Sequence, residues 1–277
     1  MKGKAFLILS LLVVLALTLS VTPAMGDGGT MNTAFAVQNL GDDEAHVEVK
    51  FRDTDGTLTA TLSEDIGEGE NYNFDQRYAS GDPGEDPFQG SAIVSADQPI
   101  GAVANIARTG GTPGYESYNG LGAAEVGDEI SLPQILKNVT SAGVTWNTTI
   151  VIQNTLTDSA VNVDVEFTPY PGGGLGTAFT KTISVPAGGT KYMKQETEPT
   201  DLEIGATFYG SAKVVAASAV GVTVYSDGGG QILMAYPSYK AGTTDPIGLP
   251  SIYQEIVSLG DSSSTAVLVV NLGSAEA

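Results

Sequence analysis

The chain has 277 residues, 32 acidic and 12 basic side chains, a formal charge of −20, one histidine and no cysteine. Without cysteine there are no disulfides, thiol nucleophiles, thiolate metal sites or lipidated-cysteine anchors. The acidity argues against nucleic acid and anionic lipid as partners, because both are repelled by a negative surface, while it attracts divalent cations and suits a solvated surface in a salty habitat.

At the N-terminus Lys2 and Lys4 precede an apolar run from Ala5 to Val21, and small residues follow at Ala24 and Gly26. This is the layout of a secretory signal peptide, and the run is shorter than the roughly 20 residues that span a bilayer. Residues 1–26 are therefore expected to be removed, leaving a secreted chain with no membrane insertion. That chain carries ten basic against 32 acidic side chains, a formal charge of −22.

Beyond the leader the same plan occurs twice. Asn32–Asn39 (NTAFAVQN) answers Asn147–Asn154 (NTTIVIQN), VEVKF at Val47–Phe51 answers VDVEF at Val163–Phe167, and FQGSAIV from Phe88 answers FYGSAKV from Phe208. Tyr115-Glu-Ser-Tyr118 matches Tyr236-Pro-Ser-Tyr239, and Leu132-Pro133 matches Leu249-Pro250. A third copy begins at Thr265–Ala277, which repeats Thr33–Ala45. The expected division is a leader at 1–26, repeats at 27–138 and 139–254, and the first strand of a third repeat within 255–277. Internal periodicity of this kind marks a stacked array.

Inside each repeat apolar and polar residues alternate, as in Val161–Phe167 and Leu58–Leu62. A period of two predicts half-buried strands, and no stretch keeps a helical period over three turns. Turn signals lie between the runs at Asp55-Gly56, Pro83-Gly84, Gly110-Gly111, Pro171-Gly-Gly-Gly174 and Asp227-Gly-Gly-Gly230, giving about seven strands per repeat. In both repeats Phe-x-Gly-Ser-Ala should let the facing sheet, or a neighbouring strand, approach closely. The strands that complete these hairpins, Ile100–Ile106 and Val220–Tyr225, are apolar at nearly every position and should be central and covered on both faces, or else meet another repeat. The fold class expected is all-β: tandem antiparallel β-sandwiches.

Strand number, turn rhythm and repetition over residues 32–277 resemble the tandem immunoglobulin-like or fibronectin-like β-sandwich repeats of secreted prokaryotic cell-surface proteins. The resemblance implies display, adhesion or polymer formation.

Groups able to carry catalysis are few. The chain has no G-x-S-x-G elbow, no H-E-x-x-H pair and no phosphate-cradling Gly-Lys-Ser/Thr loop. The single histidine, His46, has no counterpart in the second repeat and reads as an exposed strand residue. Clustered acids at Asp42–Glu44, Asp53–Asp55 and Asp82–Asp86 fall in predicted turns, which supply neither cleft nor perturbed pKa. The expectation is a protein without enzymatic activity and without an obligate cofactor.

Two candidate sites remain. Asp53 and Asp55 form a half-site for calcium, or else simply an Asp-Gly hairpin turn. Tyr115, Tyr118, Tyr236 and Tyr239 are candidates to stack on sugar rings, or else edge tyrosines buried with bonded hydroxyls. Trp146 is expected at the junction between repeats, beside two glycosylation sequons at Asn138 and Asn147. The expected function is structural or adhesive at the cell surface, with partners being further copies of itself, other surface proteins or polysaccharide. Strand donation between molecules by Thr265–Leu272 is one route to assembly.

Overall fold

The computed structural model describes residues 17–20, 30–75, 88–109, 114–141, 143–171, 176–195, 206–228, 233–237, 256–258 and 261–263. Among these residues every regular element is a strand and the sheets are antiparallel. The first unit contains β1 (Leu17–Ser20), β2 (Thr30–Asn39), β3 (Ala45–Asp53), β4 (Leu58–Ile66), β5 (Asn71–Asp75), β6 (Gly90–Ala96), β7 (Ile100–Thr109) and β8 (Gly114–Asn119). The second contains β9 (Gly127–Lys137), β10 (Val139–Ser141), β11 (Val144–Asn154), β12 (Val161–Pro169), β13 (Phe179–Val185), β14 (Thr190–Lys194), β15 (Phe208–Gly228) and β16 (Leu233–Pro237). A short pair, β17 (Ile256–Ser258) and β18 (Asp261–Ser263), follows. The stretch Thr265–Leu272 lies outside the described residues.

In the first unit a sheet ordered β1-β6-β3-β4 faces a sheet ordered β5-β2-β7-β8, which curls into a half-barrel. The alternation read from the sequence is what closes the space between them. On β3, Ala45, Val47, Val49 and Phe51 point inward and are fully buried, while His46 and Glu48 point outward. Phe35 of β2 stacks on Phe74 of β5 at 4.9 Å and leans on Phe51 at 6.3 Å, so aromatic rings from both sheets fill the centre.

The second unit repeats these pairings with one difference. β11 pairs with β14 and β15 as β2 pairs with β5 and β7, and β12 joins β13 to β15 as β3 joins β4 to β6. The hairpin expected after Phe208, however, is one strand of 21 residues. In the first unit Asp97-Gln98-Pro99 separates β6 from β7, and proline removes a backbone donor from the ladder. Ala217-Ser218-Ala219 stands at that point in β15, and nothing there interrupts the strand. Phe208–Ala216 therefore serves one sheet and Val220–Gly228 the other, merging both into a single eight-stranded sheet.

β9 pairs with β15, not with any strand of the first unit. Hydrogen bonding thus puts residues 127–137 with the second unit, ahead of the expected boundary at 138. Between Leu132 and Ile135 the ladder carries a bulge, where Pro133 and Gln134 face only Ser211. Tyr236 clamps it: its hydroxyl donates to the Gln134 carbonyl at 2.5 Å and accepts from the Gln134 amide at 3.4 Å.

The Phe-x-Gly-Ser-Ala motif acts through close approach, as anticipated. A Cβ on Gly90 would lie 1.9 Å from the Arg52 carbonyl oxygen, and one on Gly210 would lie 2.1 Å from that of Thr168. The closing asparagine of each NTxxxxQN run is also structural. Asn39 is fully buried, and its amide donates to the carbonyls of Asp43 at 2.7 Å, Ile66 at 3.0 Å and Gly67 at 3.2 Å. Asn154 does the same toward Ser159 at 2.8 Å and Pro186 at 2.9 Å. Each side chain ties two turns together.

The units share a core. Val151 and Tyr225 are buried within the first unit's cluster, and Tyr192 and Ala235 pack against it. Polar contacts reinforce the seam: Gln153 donates to the Ser91 hydroxyl at 2.8 Å, Tyr192 to the Gly90 carbonyl at 2.8 Å, and the Thr190 amide to the Thr54 carbonyl at 3.1 Å. At one side of it Arg108, fully buried, donates to Asp227 at 2.7 Å.

Covering on both faces, expected for Ile100–Ile106 and Val220–Tyr225, holds only for the latter. Every residue from Val220 to Gly228 is buried, because one face meets its own core and the other meets the first unit. On β7, Val103 and Asn105 are exposed, so that strand has one open face.

Candidate functional site

The open face of β5-β2-β7-β8 is the most site-like surface among the described residues. Pleating sends Phe35, Val37, Ala104, Ile106 and Tyr118 into the core and turns the intervening positions outward. Across the middle of this face the register aligns Asn73 of β5, Ala36 of β2, Val103 of β7 and Asn119 of β8. Gln38 and Asn71 form the next row, and Asn105 with Ser117 lies on the other side, where the Ser117 hydroxyl donates to Asn105 at 2.6 Å. The curl makes a groove of about 640 Å³, rimmed by Leu40 and Glu125.

The chemistry of this face is distinctive in so acidic a protein. Asparagine, glutamine, serine and alanine fill most of its outward positions, and acids stand only at its margins, Asp75 at the last register position of β5 and Glu125 at the rim. Amides supply two donors and one acceptor each, a set suited to vicinal hydroxyls. Tyr115, 71% exposed, stands on the same face two outward positions before Asn119 and offers a ring for stacking.

The corresponding face of the second unit does something else. Through the NTAFAVQN and NTTIVIQN alignment and the strand registers, Ala36, Asn73 and Asn105 correspond to Val151, Tyr192 and Tyr225. All three are seated against the first unit. One surface is apolar and docked; its counterpart is polar and open.

The predicted tyrosines separate. Tyr118 is buried in the first core, Tyr236 clamps the bulge beside Pro133, Tyr115 alone projects into solvent, and Tyr239 lies outside the described residues. The two Tyr-x-Ser-Tyr runs are also out of step. Tyr118 faces Ala104 and Tyr236 faces Val224, and those are equivalent positions, so Tyr118 corresponds to Tyr236.

Asp53 and Asp55 come together in the turn after β3. Asp53 accepts from the amides of Asp55 at 3.1 Å and Thr57 at 2.9 Å, and Asp55 accepts from the Thr57 hydroxyl at 2.6 Å. Burial, then the bond to Asp55, raises the Asp53 pKa above the usual carboxylate value, whereas the Thr57 hydroxyl first of all lowers that of Asp55. Calcium takes roughly six to eight oxygens; the Oδ1 of each of these carboxylates holds the turn. The turn itself docks on the second unit, since a Cβ on Gly56, whose φ is +92°, would lie 1.9 Å from the Ala187 carbonyl oxygen. Among the described residues no group of three or more His, Asp or Glu is placed to hold a metal. The acids at Asp82–Asp86 lie outside those residues.

His46 is exposed and bonds Asp65 at 2.7 Å; that bond, more than any other cause, raises its pKa. Trp146 packs its ring over Gly228 within the second unit's own sheet. Asn138 donates to the Ala206 carbonyl at 2.9 Å, and Asn147 accepts from the Asn138 amide at 2.8 Å, so both sequon side chains are engaged. The amides at Asn71, Asn73, Asn105 and Asn119 escaped the sequence reading. Their signal was contrast between repeats, asparagine where the partner copy has tyrosine at Tyr192 and Tyr225.

No protein-family model, curated protein or solved structure matches the chain. Among the described residues no helix is long and apolar enough to cross a membrane.

Proposed function

We propose that the protein is a secreted, non-catalytic structural or adhesive component of the cell surface, exported by the leader at residues 1–26 and built from stacked immunoglobulin-like β-sandwich repeats. The observation that carries this reading is the shared core: Val151, Tyr225, Tyr192 and Ala235 of one unit complete the interior of the other, as in arrays whose repeats are stabilised by their neighbours. Fused in this way, the two units form a stiff segment rather than beads on a flexible linker. The polar open face of the first unit suits the outer surface of a terminal repeat. Surface labelling of intact producing cells tests the proposal. Accessible protein lacking residues 1–26 is expected, and protein retained inside the cell with Met1 in place overturns it.

A second reading, recognition of polysaccharide, is favoured by the amide-rich face with Tyr115 beside it. Binding to insoluble polysaccharides should fall at least tenfold in Tyr115→Ala, a loss of about 1.4 kcal/mol, and should fall similarly in Asn73→Ala. Equal retention of the wild type and both variants refutes it.

A further inference from the structure

The edge of β6 is paired with a strand that lies inside the expected leader. β1 covers that edge, with Leu17 opposite Val94 and Leu19 opposite Ala92. β9 covers the matching edge of β15 in the same register, with Ile130 opposite Val214 and Leu132 opposite Ala212. Val94 and Ala92 correspond to Val214 and Ala212 in the FQGSAIV and FYGSAKV runs, so β1 and β9 fill one and the same kind of slot. On the reading that residues 1–26 are cleaved, β1 leaves with the leader. β6 then presents an unpaired ladder beside the buried Ala92 and Val94, an edge that natural sheets keep covered.

The sequence holds another strand of the β9 type. Asp128-Glu-Ile130-Ser-Leu132-Pro133-Gln-Ile135 is answered by Asp245-Pro-Ile247-Gly-Leu249-Pro250-Ser-Ile252, matching at the two residues that face Val214 and Ala212, at the proline of the bulge and at the isoleucine after it. The match continues into structure, because the β17–β18 pair lies at the same spacing after this segment as the β10–β11 pair after β9. Residues 245–252 themselves lie outside the described residues, and only their sequence is used.

We infer that residues 245–252 of one molecule add to the β6 edge of the next, joining copies head to tail. β15 already holds β9, which leaves β6 as the open acceptor of this kind among the described strands. The receiving side is also equipped, since Tyr118 occupies the position from which Tyr236 clamps the bulge after Pro133. Backbone hydrogen bonds would supply affinity, and Ile247 and Leu249, seated on Val94 and Ala92, would set the register.

The lack of any native cysteine makes a crosslinking test clean. The second unit's pairing of Lys213 with Ser131 places Gly248 opposite Ile93, within disulfide range for facing strand residues. In the chain starting at Asp27, Ile93→Cys with Gly248→Cys should give a ladder of covalent multimers on oxidation. An excess of a synthetic peptide spanning 243–254 should abolish the ladder, and the same peptide with Ile247→Asp and Leu249→Asp should leave it intact. The full chain from Met1, with β1 in place, should form none. A closed monomeric disulfide, or no adduct from a chain that begins at Asp27, overturns the inference and leaves the surface-array reading standing. An exported protein that retains residues 1–26 overturns both.

Discussion

Removing the charge at Arg108 tests whether the two units are one cooperative body. Its guanidinium is fully buried and donates at 2.7 Å to Asp227, whose side chain is 10% exposed. The pair therefore sits in the seam where the cores merge. Arg108→Met keeps length and apolar bulk but takes the guanidinium away from the Asp227 carboxylate, and breaking one partner of a buried pair costs about 3–5 kcal/mol. Because Asp227 keeps some contact with water, the lower end, about 3 kcal/mol, is expected, a fall of roughly 6–12 °C in melting temperature for a chain of this size. Adding Asp227→Leu removes the stranded charge, and stability should return to within about 1 kcal/mol of wild type. Urea unfolding gives the numbers, with the single Trp146 reporting the second unit and far-ultraviolet dichroism reporting both. The two probes should coincide in the wild type and separate in Arg108→Met. A double variant no more stable than Arg108→Met, or probes that already separate in the wild type, refutes the coupling.

Asn39→Ala strands three buried or part-buried carbonyls that its amide now serves; a loss of about 2–3 kcal/mol is expected in urea unfolding, with Asn154→Ala close to it. His46 gives the one imidazole signal in the proton spectrum, and its titration midpoint should lie above the usual 6.5 and drop in Asp65→Asn. A raised histidine stabilises the fold fully below its unfolded value of about 6.5 and loses that contribution as pH rises through the folded value, so Asp65→Asn should matter in acid and not at pH 8. Gly56→Ala forces a Cβ onto the Ala187 carbonyl at a positive φ. It should destabilise the protein by about 2 kcal/mol or more, and a neutral result by thermal melting refutes the docking of that turn.

Elements carried by local pattern were legible in the sequence. Period-two runs such as Val47–Phe51 and Val161–Phe167 became strands with the predicted inward residues, and the small-residue motif at Gly90 and Gly210 proved to be a close approach. What depended on distant partners was not legible. That β15 would run through where β6 and β7 break turns on one proline, Pro99, set against Ala219. That β9 would leave the first unit depends on which edge was open, a fact of tertiary structure that periodicity cannot carry. The tyrosine pairs misled because equal spacing in sequence is not equal register: Tyr118 and Tyr236 share a position, and Tyr115 is displaced to the outer face.

The contrast between Ala36, Asn73 and Asn105 on one unit and Val151, Tyr192 and Tyr225 on the other has direct consequences for how the molecule is joined. Sheet faces that look alike in topology diverge in chemistry according to what covers them. Two tyrosines and a valine remove enough apolar area from water to hold a neighbouring unit, whereas two asparagines and an alanine keep their solvation and oppose docking by the same route. The open face of the first unit therefore lacks the apolar side chains that dock its counterpart, and the proposed contact with a second copy runs through another surface. On the proposal that residues 1–26 are cleaved and β1 leaves with them, the edge of β6 is such a surface, because main-chain hydrogen bonds ask little of the outward side chains. The seam between the units joins sheet face to sheet face, whereas the contact proposed between copies uses a strand edge and leaves the amide face of the first unit uncovered.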